Sequence, residues 1–172
     1  MDILEMNFVD GFIRMCNDGF LQGWHERNGG NLSYRLKSDE VELIKDSLNF
    51  TNEFEKIGDK VPNLANEFFL VTGSGKYFRN VIINPEENIT IIQIDGTGEE
   101  YRVVWGLTDG GRPTSELPSH LLNHSVKKRV TNDKHRVIYH CHTTNIIALT
   151  FVLPLEGDRK STRLNSSHCT LS

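Results

Sequence analysis

The 172-residue chain has three cysteines, Cys16, Cys141 and Cys169. They are too few and too scattered for a disulfide framework, so a reducing, cytoplasmic setting is the expectation. No apolar run is long enough to cross a bilayer, and no membrane partner is expected. The opening residues, Met1-Asp2-Ile3-Leu4-Glu5, lack the basic region of a signal peptide. Positive charge is not in excess: the net charge is -4, which argues against a nucleic-acid surface. There is no internal repeat and no coiled-coil heptad. What is present is 37% apolar residues, enough to build a core and too many for a disordered chain. The length fits one domain or part of one.

The apolar pattern places the elements. Phe8, Phe12, Met15, Phe20 and Trp24 recur at helical spacing, which predicts a helix over residues 6–27 that ends at Asn28-Gly29-Gly30. Leu32, Tyr34 and Leu36 alternate with polar residues and read as a strand. Residues 37–63 are charged, weakly patterned and read as a surface excursion. Residues 67–72 read as a buried strand, Gly73-Ser74-Gly75 as a tight turn, and residues 76–83 as a short helix. Residues 89–94 and 101–105 form a hairpin through Asp95-Gly96-Thr97-Gly98. Residues 115–126 read as a helix with Pro118 in its first turn, where proline is tolerated. A strand reaching His140 and a helix over residues 145–153 follow.

The segment Arg136-Val-Ile-Tyr-His140-Cys-His142 carries the most information about chemistry. Side chains alternate along a strand, so His140 and His142 share a face and Cys141 faces the core. Two neutral imidazoles on one rigid face are half of a zinc site; read plainly, they are two strand histidines meeting a partner or water. A catalytic zinc needs a third protein ligand. His120, His124 and His135 are candidates, although His120 and His124 read as ordinary surface or packing residues of a helix.

Thr114-Ser115-Glu116-Leu117-Pro118 is first of all a helix N-terminus, with Thr or Ser as the cap and Glu opposing the dipole. The same geometry suits an anion, and a carboxylate beside a metal suits a general base. Asn28-Gly29-Gly30-Asn31 and Thr72-Gly73-Ser74-Gly75-Lys76 read as turns, and each could also present amides to a phosphate. The second is not a Walker loop, because its glycine spacing is wrong and Tyr77 stands where a Ser or Thr would bind magnesium.

Taken in order, Gly23-Trp-His-Glu-Arg-Asn-Gly-Gly-Asn-Leu-Ser33, Val71-Thr-Gly-Ser-Gly-Lys-Tyr-Phe-Arg-Asn80, Trp105-Gly-Leu-Thr108, Pro113-Thr-Ser-Glu-Leu-Pro-Ser-His120 and Val137-Ile-Tyr-His-Cys-His-Thr-Thr-Asn145 resemble the class II, zinc-dependent sugar-phosphate aldolases, and within them the rhamnulose branch. The likeness runs to about Leu155. It implies a three-layer α/β/α domain around a mostly antiparallel central sheet, incomplete at its C-terminal end. It implies Zn2+ held by His140 and His142, with the family's third histidine lying beyond this chain. By the same resemblance Glu116 is the catalytic carboxylate. Asn28, Gly30, Asn31, Ser74, Thr114 and Ser115 stand where the family holds its substrate's phosphate. The activity implied is cleavage of a phosphorylated ketose, L-rhamnulose 1-phosphate, to dihydroxyacetone phosphate and L-lactaldehyde through an enediolate. The assembly implied is a homotetramer.

Two kinds of alternative stay open: a sister aldolase, epimerase or dehydratase on the same fold, and a non-catalytic adducin-like binding module. Glu116 bears on the first, since the epimerases resemble this motif with aspartate there. From about Gly157 the chain loses its apolar periodicity. The expected division is therefore a partial class II aldolase domain over residues 1–156 and a non-native tail over 157–172. In that tail His168-Cys169 is set aside as a metal pair. The chain as written is expected to be inactive alone.

Overall fold

The computed structural model describes residues 2–152. The strand expected from Leu32, Tyr34 and Leu36 is β1 (Asn31–Arg35). The others are β2 (Glu55–Lys56), β3 (Phe68–Thr72), β4 (Ile89–Ile94), β5 (Glu100–Gly106) and β6 (Val137–His140). They form one sheet in the order β2-β5-β4-β3-β1-β6. Every pairing is antiparallel.

Alternation along the strands divides the core in two. Leu32, Leu70, Ile91, Tyr139 and Cys141 pack with Val9, Phe12 and Cys16 of helix α1 (Asn7–Leu21). Phe69, Val71, Ile92 and Ile94 pack on the opposite face with two leucines, Leu117 and Leu121. These belong to a helix over Leu117–Val130 that is the fifth in the chain. Successive residues such as Phe69 and Leu70 point to opposite sides, so helices cover both faces. The three-layer α/β/α arrangement expected from the resemblance is what forms.

Between these lie α2 (Ser38–Ile44), α3 (Phe78–Val81) and α4 (Pro85–Asn88). The long helix over Leu117–Val130 is α5, and α6 (Thr144–Val152) follows β6. The expected end of α6 at Leu153, the boundary at 156, and the 157–172 segment with His168 and Cys169 lie outside the described residues.

Three local expectations need correction. The first helix ends at Leu21, six residues before Arg27. Gly23 takes a left-handed φ of 72°, Gly23 N donates to Phe20 O, and Trp24 N donates to Gly19 O. That is a Schellman closure, and Gly23 adopts its left-handed backbone without strain. Asn28-Gly29-Gly30 is thereby released as a loop. The helix after Pro113 starts at Leu117, with Glu116 at the cap position, and Thr114 Oγ1 accepts from Glu116 N at 3.3 Å. Residues 37–63 are more than a surface excursion: Ile44, Leu48, Ile57 and Val61 are buried, and β2 extends the sheet.

Candidate active site

Antiparallel pairing gathers the site at one end of the sheet. Asn31 opens β1 and pairs with His140, the last residue of β6. Ser33 pairs with Val71, so the end of β3 also lies beside the start of β1. The chain then leaves β3 through Gly73-Ser74-Gly75. Gly73 bridges to Pro113, Ser74 N donates to Arg112 O at 2.7 Å, and Thr114 N donates to Thr72 O at 2.9 Å. The three loops singled out from sequence therefore meet where β6 delivers its histidines.

His140 is buried and His142 is half-buried. Their Nε2 atoms lie 3.2 Å apart. His140 Nδ1 meets Glu116 Oε2 at 2.8 Å. A carboxylate oxygen can only accept, so the hydrogen is on His140 Nδ1 and the Nε2 lone pair points at His142. His142 Nδ1 lies 3.6 Å from Glu26 Oε1. Its backbone N donates to Trp24 O at 2.8 Å, which carries the β6 direction past its last ladder residue.

These donors fit a divalent metal. Two ligand atoms each 2.0–2.1 Å from a shared tetrahedral zinc stand about 3.3 Å apart, close to the separation seen. A carboxylate on the far ring nitrogen is the usual outer support for a metal-bound histidine. Among the described residues no group of three or more His, Cys, Asp or Glu side chains is arranged to hold a metal. Glu116 approaches His140 from the side opposite His142, and two of the three histidines considered as third ligands are spoken for. His120 Nε2 contacts Asn31 Oδ1, and His124 Nε2 lies 2.8 Å from Ser33 Oγ. Both rings are buried, so of the two readings, surface or packing, it is packing that holds. His135 is exposed on the segment before β6.

The remaining expected residues fall around this pair. Asn31 Nδ2 donates to Glu116 Oε2 at 3.0 Å, so that oxygen receives both Asn31 and His140. Asn28, Ser74 and Ser115 are exposed, and Thr114 is buried beneath them. Gly30 has a φ of 83°, and a Cβ there would lie 2.5 Å from His25 Nδ1 and 2.6 Å from His140 O. A Cβ on Gly29 would lie 2.9 Å from His142 Nδ1. Only glycines let this loop close on the histidine strand.

His25 holds the loop and was not singled out from sequence. Its Nδ1 lies 2.9 Å from Gly29 O and therefore donates. Its Nε2 then accepts from Tyr139 OH at 2.6 Å, and its ring stacks on Phe78 at 3.7 Å between centroids. Burial, only partly offset by the bond to Gly29, lowers its pKa to about 4. Burial likewise raises the Tyr139 phenol, which stays a donor. The only hint in the sequence was a histidine beside the glycine loop; its partner lies 114 positions away.

Comparison with known proteins gives a consistent picture. The family model for the class II aldolase and adducin N-terminal domain matches residues 11–171. A rhamnulose-1-phosphate aldolase of Mannheimia succiniciproducens is 49% identical over 155 residues, covering 90% of this chain and 57% of that protein. One of Klebsiella pneumoniae is 43% identical over 169 residues, covering 97% of this chain and 61% of that protein. The chain thus spans little more than half the length of these curated relatives. The crystal structure of a sugar-phosphate aldolase from Thermotoga maritima superposes with a TM-score of 0.68 at 23% identity, covering 82% of this chain and 55% of that one. At that identity the likeness concerns the fold.

Proposed function

Because the chain belongs to the class II aldolase and adducin N-terminal domain family, we propose that its full-length form is a zinc-dependent lyase. In this reading it cleaves L-rhamnulose 1-phosphate to dihydroxyacetone phosphate and L-lactaldehyde. The observation that carries the reading is the convergence of His140 and His142 through their Nε2 atoms, with Glu116 against the first of them.

His140 and His142 would hold the zinc, which would supply Lewis acidity for the charge that develops on the ketose oxygens. The protein's own groups do the rest. The Glu116 carboxylate, oriented by Asn31 and His140, returns a proton to the terminal hydroxymethyl carbon in cleavage and removes it in synthesis. Asn28, Gly30, Asn31, Ser74, Thr114 and Ser115 surround the place for the phosphate. Binding the phosphate there holds the reacting carbons at a constant distance from Glu116. No lysine forms a covalent adduct with the substrate in this scheme.

A homotetrameric assembly and a cytoplasmic location belong to the same proposal. The second is supported by Cys16 and Cys141, which are buried free thiols. No helix of the described residues is long and apolar enough to cross a membrane.

The test is product analysis. Full-length protein loaded with zinc is incubated with L-rhamnulose 1-phosphate, L-fuculose 1-phosphate and L-ribulose 5-phosphate in parallel. Lactaldehyde and dihydroxyacetone phosphate from the first at the highest kcat/KM are expected. Preferential turnover of either competitor assigns the chain to a sister activity, and turnover of none returns it to the binding-module class.

A further inference from the structure

Three buried polar side chains behind Glu116 have no part in the scheme above. Ser33 lies two residues from Asn31 on β1 and so shares its face of the sheet. His120 and His124, one turn apart on α5, face it from the helix that covers that side. Ser33 and His124 are 0% exposed and His120 is 2% exposed. Polar groups so deep in a core are as a rule hydrogen-bonded, and these bond to one another.

Their contacts set the hydrogens in one direction. Glu116 Oε2 accepts from Asn31 Nδ2, so Asn31 presents Oδ1 on its other side. His120 Nε2 meets that oxygen and therefore carries a hydrogen. In the neutral ring Nδ1 is then an acceptor, and Ser33 Oγ donates to it at 2.6 Å. Ser33 Oγ accepts in turn from His124 Nε2 at 2.8 Å. The series ends at His124 Nδ1, a buried nitrogen with no hydrogen-bond partner among the described residues, as expected of the bare nitrogen of a neutral ring. A protonated His120 would make Ser33 accept from both rings and leave its own hydrogen undirected. Burial, reinforced by His120 and then by Arg35 and Arg136, lowers the His124 pKa well below its usual value, which agrees with a neutral ring.

We infer that His124, Ser33 and His120 form a positioning relay that locks the Asn31 side-chain amide, so that an N–H and not a carbonyl oxygen meets Glu116. An amide is nearly symmetric in shape, so its hydrogen bonds, to Glu116 on one side and to His120 on the other, select the face of the flip. Reversed, Asn31 would set its oxygen against the carboxylate and push it away from His140. The relay selects the productive orientation from about three side chains away. Its kinetic consequence rests on the aldolase reading; its proton arrangement does not.

Two measurements on the full-length protein test this. The first is long-range 15N–1H correlation of the histidine rings, assigned with His120→Gln and His124→Gln. Both rings are expected as neutral Nε2–H tautomers at about pH 8, where an ordinary imidazole is neutral. An Nδ1–H tautomer or a protonated ring at either position overturns the relay, whether or not the protein cleaves a ketose. The second is steady-state kinetics of the zinc-loaded enzyme. Ser33→Ala should lower kcat about tenfold with KM changed less than about threefold, the signature of a misplaced catalytic group. His120→Gln keeps an N–H within reach of Asn31 Oδ1 and should retain several times the kcat of His120→Leu. Equal loss in the Gln and Leu variants, or a loss confined to KM, overturns the positioning role. Absence of cleavage by the wild type overturns the aldolase reading and leaves the tautomers to decide the relay.

Discussion

Asn31 and His140 face each other across the β1–β6 ladder, and their side chains reach the same oxygen, Glu116 Oε2, at 3.0 Å and 2.8 Å. Side chains directly opposite on an antiparallel pair have Cβ atoms about 5 Å apart, close enough for one carboxylate to receive both. Glu116 comes from the other layer, at the start of α5. The junction of a sheet end and a helix start thus holds a carboxylate by two hydrogen bonds that neither element could supply alone.

Removing that carboxylate should leave the fold and abolish most of the chemistry. Glu116 is only partly buried, so truncation opens no large cavity. In the full-length enzyme Glu116→Ala is expected to lower kcat on the order of 10²-fold or more, the usual contribution of a positioned acid–base group. Melting temperature and zinc content are the controls, and near-normal turnover would refute the role of Glu116.

The histidine pair is tested by metal content. His140→Ala and His142→Ala should each strip zinc from the purified full-length protein, as measured by atomic absorption, with activity falling in parallel. Chelator treatment of the wild type should do the same reversibly. Full activity after exhaustive removal of divalent metal is the outcome that dismantles the metal reading.

Gly30 should be irreplaceable. Its φ of 83° is strained for any other residue, at a cost of about 1–3 kcal/mol. The added Cβ would also sit 2.6 Å from the main-chain oxygen of His140, which cannot swing aside as a side-chain tip can. Gly30→Ala is therefore expected to lower the denaturant midpoint and to disturb the histidine strand, both readable in one urea titration followed by zinc retention. An unchanged midpoint with full zinc would mean that the loop is not closed as described.

Acid should weaken the fold through His25 and His124. Both have folded-state pKa values below the ordinary value near 6.5, His25 at about 4. Between these limits the unfolded chain binds protons that the folded chain does not, so stability rises with pH there. The contribution is fully present above about pH 6.5 and is lost as pH falls toward about 4. Thermal unfolding from about pH 7 to about pH 4.5 should show the decline, and NMR titration should show the His25 ring still neutral at about pH 5.5. A His25 midpoint near 6.5 in the folded protein would remove the cause.

Much of this architecture could be read along the chain. Residues 89–94 and the turn at Asp95-Gly96-Thr97-Gly98 declared a hairpin because an apolar β-forming run beside a glycine-bearing turn is a local signal, and Gly98 takes a φ of 74°. His140 and His142 on one face, with Cys141 in the core, followed from the period of a strand alone. The end of α1 was misplaced because glycine alone does not say where a helix stops: α1 runs through Gly11 and Gly19 and closes at Gly23, ahead of Gly29-Gly30. His120 and His124 stayed undecided between surface and packing because four-residue spacing on a helix marks a face without saying what that face meets; both are packed.

Local chemistry dictated the strands, most turns and the types of side chain available for catalysis, because backbone preference and alternation act between near neighbours. Which of those side chains touch was decided only by packing. Asn31, Glu116 and His140 are separated by 85 and 24 positions along the chain, and His120 reaches Asn31 across 89. Proximity of that kind arises when antiparallel ladders bring strand ends together and a helix is pressed on them by the apolar residues it buries, an outcome of the whole fold and of no single segment.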